Sequence, residues 1–346
     1  MTEGQALPTA PPGPPTTTLP AAGMQQQPVA FIELDDPGYE TATDAGSVEF
    51  QSLASSVRDY KFENERRYHR YKEGRYALPN DEPEQEREDM KHAMVIALCG
   101  GALHCAPLVN PQKILDIGTG TGAWAIDMGD EYPGAEVIGN DLSPIQPEYL
   151  PPNVRFIIDD AEAEWLHPDN SVDFVHLRHM APAIKDWPRL LAQAYRVLKP
   201  GGWIELQELN AKFNCDDGTM SPDCSLTRLI GHIRAGLASF GIDLFAADSN
   251  PQRLQAAGFG GTFQDVRKLP VGNWPRHPEM KTIGEYCRAV IYDGLHAISM
   301  GPITRGLGWT RAQVEVLLDE VRADLLSPGL HSYVYLHTVV GQKPVS

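Results

Sequence analysis

The sequence has few cysteines and no long uninterrupted apolar run. Its five cysteines are odd in number and show no CxxC spacing, so they predict neither a zinc site nor a disulfide framework. The most apolar internal stretch, 93–109, is interrupted by glycine, histidine and proline, and no basic segment precedes an apolar run near residue 1. We therefore expect a soluble, intracellular protein with free thiols, no bound metal and no membrane partner.

Positive charge is also scarce. Lysine and arginine number 29 against 46 aspartates and glutamates, which gives a net charge of −17. A field of that sign repels polyanions, so nucleic acids and anionic membranes are poor partners. The chain contains no cluster of five or more basic residues that would act as a simple nuclear address. We expect a cytoplasmic location, with a nuclear one as the alternative.

The first 45 residues lack the apolar side chains needed for a core. Proline, threonine and alanine dominate this stretch, and three consecutive glutamines follow them. Such a composition buries too little apolar surface to offset the entropy of ordering the chain. We predict a disordered tail over 1–45, with docking of a protein partner as its alternative role.

The most informative part of the chain is the glycine-rich stretch KILDIGTGTGAWAIDM, which predicts a buried strand, a tight turn and the start of a helix. Gly118, Gly120 and Gly122 have no Cβ, so a ligand can approach the main chain and the helix N-terminus there. A second predicted strand, 135–139, leads to Asp141. An acid at that place in a doubly wound sheet accepts hydrogen bonds from ribose hydroxyls, so the pattern predicts an adenosine cofactor.

The glycines alone leave the choice of adenosine cofactor open. The G-x-G-x-x-A motif that starts at Gly118 also satisfies the relaxed dinucleotide fingerprint. The later segments favour another class. Apolar runs of strand length occur at 154–158 and 172–177, a helical pattern over 188–198 ends in Leu-Lys-Pro-Gly-Gly before another strand, and a last strand is predicted at 332–341. A dinucleotide reductase would not require this order.

The spacing Asp116-x-Gly118-x-Gly120-x-Gly122 resembles motif I of class I S-adenosylmethionine-dependent methyltransferases, and the Leu-Lys-Pro-Gly-Gly segment is also similar to that family. Four further segments narrow the resemblance to the LaeA-like methyltransferases of fungal secondary metabolism. These segments are 68–81, 137–147, 159–162 and 184–187.

That resemblance implies a Rossmann-like class I methyltransferase fold over 46–346: an α/β domain with a seven-stranded mixed sheet, an antiparallel last strand, helices on both faces and added helices that form a lid. Residues 111–210 would be the cofactor-binding core, with a lid or helical segment at 57–110 and a substrate lid at 211–300. Ten residues are expected to bind S-adenosylmethionine: Asp116, Gly118, Thr119, Gly120, Gly122, Asp141, Leu142, Asp160, Ala161 and Arg178.

An aromatic and basic segment precedes this core. Tyr68, Tyr71 and Arg75 are candidates to pair with the methionine carboxylate of the cofactor, if the segment folds over the open end of the site. The alternative is an amphipathic helix whose aromatic residues lie on the core and whose arginines face solvent. Pro83 then permits a helix from about Glu84, with acids near its N-terminus as the helix dipole prefers.

Methyl transfer from a sulfonium is an in-line displacement that depends mainly on positioning and on the exclusion of water. For a hydroxyl acceptor, His179 is the candidate base and Glu208 its orienter or substitute, because both follow strand ends that face the cofactor. Either residue is alternatively a buried polar group with a structural role. Helical patterns at 221–237, 280–300 and 311–326 predict inserted helices beside the acceptor. Four residues on the first two are candidate pocket residues: His232, Tyr286, Tyr292 and His296.

The sequence thus predicts methyl transfer from S-adenosylmethionine to an oxygen or nitrogen of a small-molecule acceptor in a fungal secondary-metabolite pathway. The alternative within the same subgroup is a nuclear regulator of secondary metabolism that acts through protein partners. An NAD(P)-dependent oxidoreductase is the third hypothesis, and it lacks the expected Tyr-x-x-x-Lys pair after the fourth strand.

Overall fold

A computed structural model describes residues 32–33, 60–63, 66–69 and 78–345 of the chain. Its centre is one sheet, whose strands we give from one edge to the other. They are β1 (Ile32–Glu33), β6 (Val154–Ile158), β5 (Glu136–Asp141), β4 (Lys113–Ile117), β7 (Val172–Arg178), β8 (Leu198–Asn214), β10 (Tyr333–Gln342) and β9 (Gly260–Pro270).

The strand directions confirm the predicted fold class. Strands β6, β5, β4, β7 and β8 run parallel, and β10 lies antiparallel between β8 and β9. The predicted seven-stranded mixed sheet is present, and it includes β9, which was not located on the sequence. The two residues of β1 add an eighth strand by pairing with Ile157 and Ile158 of β6. These two residues fall in the segment predicted as a disordered tail, and the rest of that segment lies outside the described residues.

Seven α-helices are found in the described part of the chain. They are α1 (Glu82–Leu98), α2 (Ala123–Glu131), α3 (Trp187–Val197), α4 (Ser225–Ala238), α5 (Asn250–Ala256), α6 (Pro278–Met300) and α7 (Arg311–Leu326). A 3₁₀ turn at Ala246–Ser249 precedes α5, and a π-helical turn at Gly301–Arg305 follows α6. Among these helices none is both long enough and apolar enough to span a bilayer.

The apolar runs form strands because helices cover both faces of the sheet. Adjacent residues of β4 illustrate this: Ile114 packs in a cluster with Trp124 of α2, whereas Leu115 packs in a cluster with Leu190 of α3. A third cluster lies between α1, α4, α6 and α7. The added helices that the sequence predicted therefore pack with α1 and with Leu269, Val334 and Leu336 of β9 and β10, at one edge of the sheet.

Two local predictions are wrong. Residues 60–69 do not form an amphipathic helix, because Tyr60–Glu63 (β2) and Arg66–His69 (β3) pair as antiparallel strands. Helix α4 begins at Ser225, four residues later than the helical pattern over 221–237 predicted. Its N-cap is Cys224, without a side-chain bond, and the Ser221 hydroxyl instead accepts a hydrogen bond from the amide of Asp223, at 3.3 Å.

Candidate functional site

The glycine turn between β4 and α2 requires glycine for its backbone conformation. Gly118, Gly120 and Gly122 have φ values of 72°, 59° and 84°, in the left-handed region that L side chains rarely adopt. Gly122 is the N-cap of α2, so the turn leads directly into the helix. The sequence prediction of a strand, a tight turn and a helix is confirmed at these residues.

The three glycines differ in what lies around them. A Cβ added to Gly118 would lie 2.1 Å from the sulfur of Met180, and one added to Gly122 would lie 2.3 Å from the ring of Phe156. A Cβ on Gly120 would meet nothing within 4 Å. Gly118 and Gly122 therefore permit close packing, whereas Gly120 leaves open space for a ligand.

The turn is held by an aspartate and a histidine below it. Asp116 is buried, and one of its carboxylate oxygens accepts a hydrogen bond from the Thr119 hydroxyl at 2.6 Å. Its other oxygen lies 2.8 Å from Nδ1 of His176, a fully buried residue whose ring stacks on Trp124 with centroids 3.7 Å apart. Sequence reasoning missed His176, and the available signal was a histidine between the apolar residues Val175 and Leu177 of β7.

Asp141 links the turn to the loop after β5. Its Oδ2 accepts a hydrogen bond from the Gly120 amide at 2.9 Å, and its Oδ1 accepts one from the Ser143 amide at 2.9 Å. Asp160 lies after β6 and is buried, with its Oδ1 accepting from the Glu162 amide at 2.9 Å. The carboxyl ends of three neighbouring parallel strands thus bring their acids to one edge of the sheet.

Two adjoining cavities open at this edge. The first is lined by Asp141, Leu142, Asp160 and Ala161 together with Asn80 from the start of α1. The second is lined by Asp116, Thr119, Trp124 and His92. Both cavities share six lining residues, which are Glu88, Lys91, Gly118, Gly120, Arg178 and His179. Apart from Gly122, which packs on Phe156, the predicted cofactor residues between 116 and 178 therefore line one continuous cleft.

Arg178 supplies the positive charge where the two cavities join. One guanidinium nitrogen lies 2.8 Å from Nδ1 of His92, whose Nε2 lies 2.9 Å from the carboxylate of Asp127. The other guanidinium nitrogen, NH1, is buried and has no hydrogen-bond partner among the described residues. Burial lowers the pKa of His92, with Arg178 acting in the same direction, so the imidazole is neutral and accepts from the arginine. An arginine with an unused buried donor fits an anionic ligand group.

His179 lines both cavities in a strained backbone conformation. Its φ is 59°, and its amide donates to the Gln207 carbonyl at 2.8 Å. Burial lowers the pKa of His179 well below 6.5, and the cations Lys91 and Arg178 lower it further. Its Nε2 is buried and has no hydrogen-bond partner among the described residues. The imidazole is therefore neutral at pH 7, and its Nε2 can hydrogen-bond a ligand in the cleft.

Glu208 does not orient His179. Its Oε1 accepts hydrogen bonds from the backbone amides of Met180 at 2.9 Å and Ala181 at 3.2 Å, and it is not among the residues that line either cavity. Burial raises the pKa of Glu208 to about 8, against the opposing effect of those amides and of Lys91. The carboxyl group supports the backbone after β7 rather than the chemistry.

Of the three candidates that precede the core, which are Tyr68, Tyr71 and Arg75, the structure describes only Tyr68. Tyr68 is buried, but it lies outside both cavity linings, with its ring 5.8 Å from the guanidinium carbon of Arg305. Burial raises the pKa of its hydroxyl. The contact of Tyr68 with the cofactor stays a prediction. Tyr71 and Arg75 lie outside the described residues and stay predictions.

A separate apolar pocket of about 150 Å³ lies beside the cleft, between α1, β8, α4 and α6. Its lining includes Met94, Phe213, Leu226, Ile230, Val290 and Ile298. The four pocket residues that the sequence suggested are not part of it: His232 instead lies against Trp309, and Tyr286 is 43% exposed. The pocket is apolar because α4 and α6 turn their aliphatic faces toward it.

The sheet order and the glycine turn define a class of protein, the Rossmann-like proteins that bind a nucleotide cofactor at strand ends. The family described as "Methyltransferase domain" matches residues 84–262. The methyltransferase pytC of Aspergillus terreus is 41% identical, with 90% of this chain and 95% of that protein covered. The secondary metabolism regulator LAE1 of Cochliobolus heterostrophus is 38% identical, with 82% and 94% covered.

Among solved structures, phosphoethanolamine N-methyltransferase 2 of Haemonchus contortus in complex with S-adenosyl-L-methionine is 18% identical, with 74% of this chain and 52% of that chain covered at a TM-score of 0.43. From its sequence relatives, this chain belongs to the methyltransferase family, and the resemblance to LaeA-like methyltransferases is confirmed. The predicted enzyme class, an S-adenosylmethionine-dependent methyltransferase, is confirmed with it.

Proposed function

We propose that this protein transfers the methyl group of S-adenosylmethionine to an oxygen or nitrogen of a small molecule in a fungal secondary-metabolite pathway. The observation that carries the proposal is the apolar pocket beside the cofactor cleft, because Lys91 lines the pocket and both cavities of the cleft. The likeness to pytC over most of both chains supports the same reading.

We assign each of these cleft residues to one part of the cofactor. Asp141 would accept hydrogen bonds from the ribose, and Asp160 with Ala161 would contact the adenine. Arg178 would use its unpartnered NH1 for the methionine carboxylate, and Asp116 lies where it would hold the ammonium. When bound, the cofactor supplies an activated methyl group on a sulfonium.

The protein contributes positioning and a dry environment for the acceptor. The apolar pocket excludes water and holds the acceptor body beside the cleft, which is the main requirement for an in-line displacement. His179 is the group placed to take a proton from a neutral acceptor, since it is neutral and lines both cavities. Glu208 has no direct part in this scheme.

The test begins with the cofactor. Calorimetric titration with S-adenosylmethionine should show one site in the wild type and none in Gly120→Val, whose side chain would enter the cleft. Gly100→Val is the matched control, because Gly100 also has a positive φ, 68°, and open space around it, but lies in the turn after α1. If the cofactor binds, acceptors are screened for the mass gain of one methyl group. Absence of cofactor binding by folded wild-type protein would refute the proposal.

The likeness to LAE1 favours a second candidate, a regulator that acts through protein partners. Such a protein would keep the same cofactor site without turning over a small-molecule acceptor. The same reactions are therefore examined by intact-protein mass for methyl groups on protein, and a fluorescent fusion records a nuclear or cytoplasmic location. Methylated protein in nuclei, with no methylated small molecule, would favour the regulator.

A further inference from the structure

The apolar pocket contains very few polar side chains. Among the described residues, only Arg87, Lys91 and Asn210 contribute polar groups to its lining, and the other lining residues are apolar. A volume of about 150 Å³ is comparable to an apolar cavity that accommodates a benzene ring. The pocket therefore suits one aromatic ring or an aliphatic group of that size, which the few polar groups would hold in one orientation.

Arg87 is committed to carboxylates within α1. Its guanidinium makes two hydrogen bonds to Glu84, at 3.1 Å and 2.5 Å, and a further one to Glu88. All three residues are wholly or largely buried, so this arginine neutralises the two carboxylates of its own helix. It has little capacity left to bind a ligand.

Lys91 is placed differently. It lines the apolar pocket and both cavities of the cleft, so it stands at their junction. Its Nζ lies 2.5 Å from an oxygen of Glu88, and an ammonium group has three donors. Its side chain is 12% exposed. Burial lowers the pKa of Lys91, and Glu88 opposes that effect.

Charges of both signs meet at this junction. The cationic side chains are those of Arg87, Lys91 and Arg178. Arg87 and Lys91 pair with Glu84 and Glu88, whereas Arg178 senses Asp116, Glu88 and Asp127. Lys91 and Arg87 outweigh the burial of Glu88 and lower the pKa of its carboxyl to about 2, so this acid is ionised. Two further titratable groups sense Lys91, which are His179 and Glu208. Both are neutral at pH 7, so the ion pair that Lys91 forms among the described residues is the one with Glu88.

We propose that the acceptor is a small, largely apolar molecule with one acidic hydroxyl, a phenol or an enol, and that Lys91 binds its ionised oxygen at the junction of pocket and cleft. This inference rests on the proposed function, because it names the substrate class of the same site. The ring occupies the apolar pocket, and the anionic oxygen faces the methyl group.

The step balances without a protein base. The acceptor loses its proton to solvent as it ionises beside Lys91. Its oxygen lone pair forms the new O–CH₃ bond while the S–CH₃ bond breaks, and the electron pair of that bond goes to sulfur. A phenolate and a sulfonium become a neutral ether and a neutral thioether. Lys91 takes no part in the bond changes and acts as a specificity residue for the anion.

The test uses 4-nitrophenol, whose phenolate absorbs visible light, and 4-nitroanisole, the same ring with the oxygen already methylated. We expect both to bind the wild-type protein, and the ionisation midpoint of bound 4-nitrophenol to fall by about one pH unit or more, because an opposite charge at this distance favours the anion. In Lys91→Met the midpoint should lie at or above that of free nitrophenol, while 4-nitroanisole binding changes less than threefold. Lys91→Arg should restore the lowered midpoint.

Two controls test the location. Lys212→Met removes an exposed lysine of β8 that is paired with Asp248 outside the pocket, and it should leave the midpoint unchanged. Ile230→Phe fills the pocket and should weaken the binding of both probes at least tenfold.

An unshifted midpoint in the wild type, or the same midpoint in Lys91→Met, overturns the role of Lys91. Unchanged binding in Ile230→Phe overturns the pocket. Cofactor titration is recorded separately, so a protein that binds S-adenosylmethionine but not nitrophenol keeps the proposed function and loses only this inference.

Discussion

Replacing Glu208 by glutamine is expected to stabilise the protein at neutral and alkaline pH. The carboxyl group is 1% exposed, and burial raises its pKa from 4.5 to about 8. Below pH 4.5 the acid is protonated in both the folded and unfolded states and contributes nothing. As pH rises from 4.5 to 8, only the unfolded state releases the proton, so the free energy of unfolding falls.

The size of the effect follows from the pKa difference. One pKa unit corresponds to about 1.4 kcal/mol, so the folded state loses roughly 3 kcal/mol by pH 7 and roughly 5 kcal/mol above pH 8. Glutamine has no charge to bury, and its carbonyl oxygen can keep both hydrogen bonds from the amides of Met180 and Ala181. These figures are upper bounds, because the second amide hydrogen of glutamine lacks a defined acceptor there.

The assay is urea unfolding of the wild type and Glu208→Gln at intervals between pH 4.5 and pH 9. The difference in unfolding free energy should be near zero at the acidic end, grow with pH and level off above about pH 8. Cofactor affinity should not change, since Glu208 lines neither cavity of the cleft. A difference that is independent of pH would refute the argument, as would a variant that is less stable throughout.

Glu205→Gln on the same strand is the matched control. Glu205 is also fully buried, but its carboxylate accepts three hydrogen bonds, from the amides of Cys105 and Ala106 and from the side chain of Gln207. Loss of the charge weakens all three, so the substitution should lower stability by about 1 kcal/mol or more. Opposite signs at two buried glutamates of β8 would show that the number of donors decides the outcome.

Three further predictions concern the cleft and the helices. Arg178→Met should weaken S-adenosylmethionine binding about tenfold or more in calorimetry, because the buried donor for the carboxylate is lost. Asp81 caps α1 and pairs with Arg66, so Asp81→Ala should cost about 1–2 kcal/mol in urea unfolding, and Asp81→Asn should keep the capping part. On α4, Gly236→Ala would place a Cβ 2.2 Å from the backbone oxygen of Pro302, in the π-helical turn after α6, and should lower the melting temperature, whereas Gly231→Ala has open space and should raise stability by about 0.5–1 kcal/mol.

The sequence was sufficient to predict the strands and the glycine turn in the cofactor-binding half of the molecule. Its apolar runs are short and bounded by turn residues, and parallel strands buried on both faces leave little ambiguity in such runs. The glycine turn adds a backbone requirement that few other structures satisfy. Because β4 lies where the chain order reverses, with β5 on one side and β7 on the other, its carboxyl end must form the crevice. Asp141 followed from that topology, and Asp116 from the resemblance to methyltransferase motif I.

The hairpin β2–β3 was missed because its pattern is ambiguous. Tyrosines and arginines between Tyr60 and His69 fit both a helix with one aromatic face and two short alternating strands, and ten residues are too few to distinguish the two periods. Tertiary contacts decide between these two structures. The guanidinium of Arg66 bonds to both oxygens of Asp81, and Arg67 bonds to Asn80, so the hairpin is held by the start of α1.

No sequence pattern predicted that α1 contributes residues to the site. Glu88, Lys91 and His92 look like the charged face of a surface helix, because charges at helical spacing usually face solvent. Here that face covers the cleft, and the three residues line it. Their burial follows from the position of α1 over the ends of β4 and β7, which no local pattern of α1 records.

Different elements build the cofactor cleft and the acceptor pocket, and this separation affects how such proteins diverge in function. Contacts expected for the cofactor come from strand ends and from the turn after β4, whereas the apolar pocket is built mainly by α4 and α6. Substitutions in those helices can reshape the acceptor pocket without moving the cleft, because their core cluster joins them to β9 and β10 and contains no residue of β4, β5 or β6. Relatives described as an enzyme and as a regulator are therefore expected to differ most where Leu226, Ile230 and Val290 line the pocket, and least in the turn from Gly118 to Gly122.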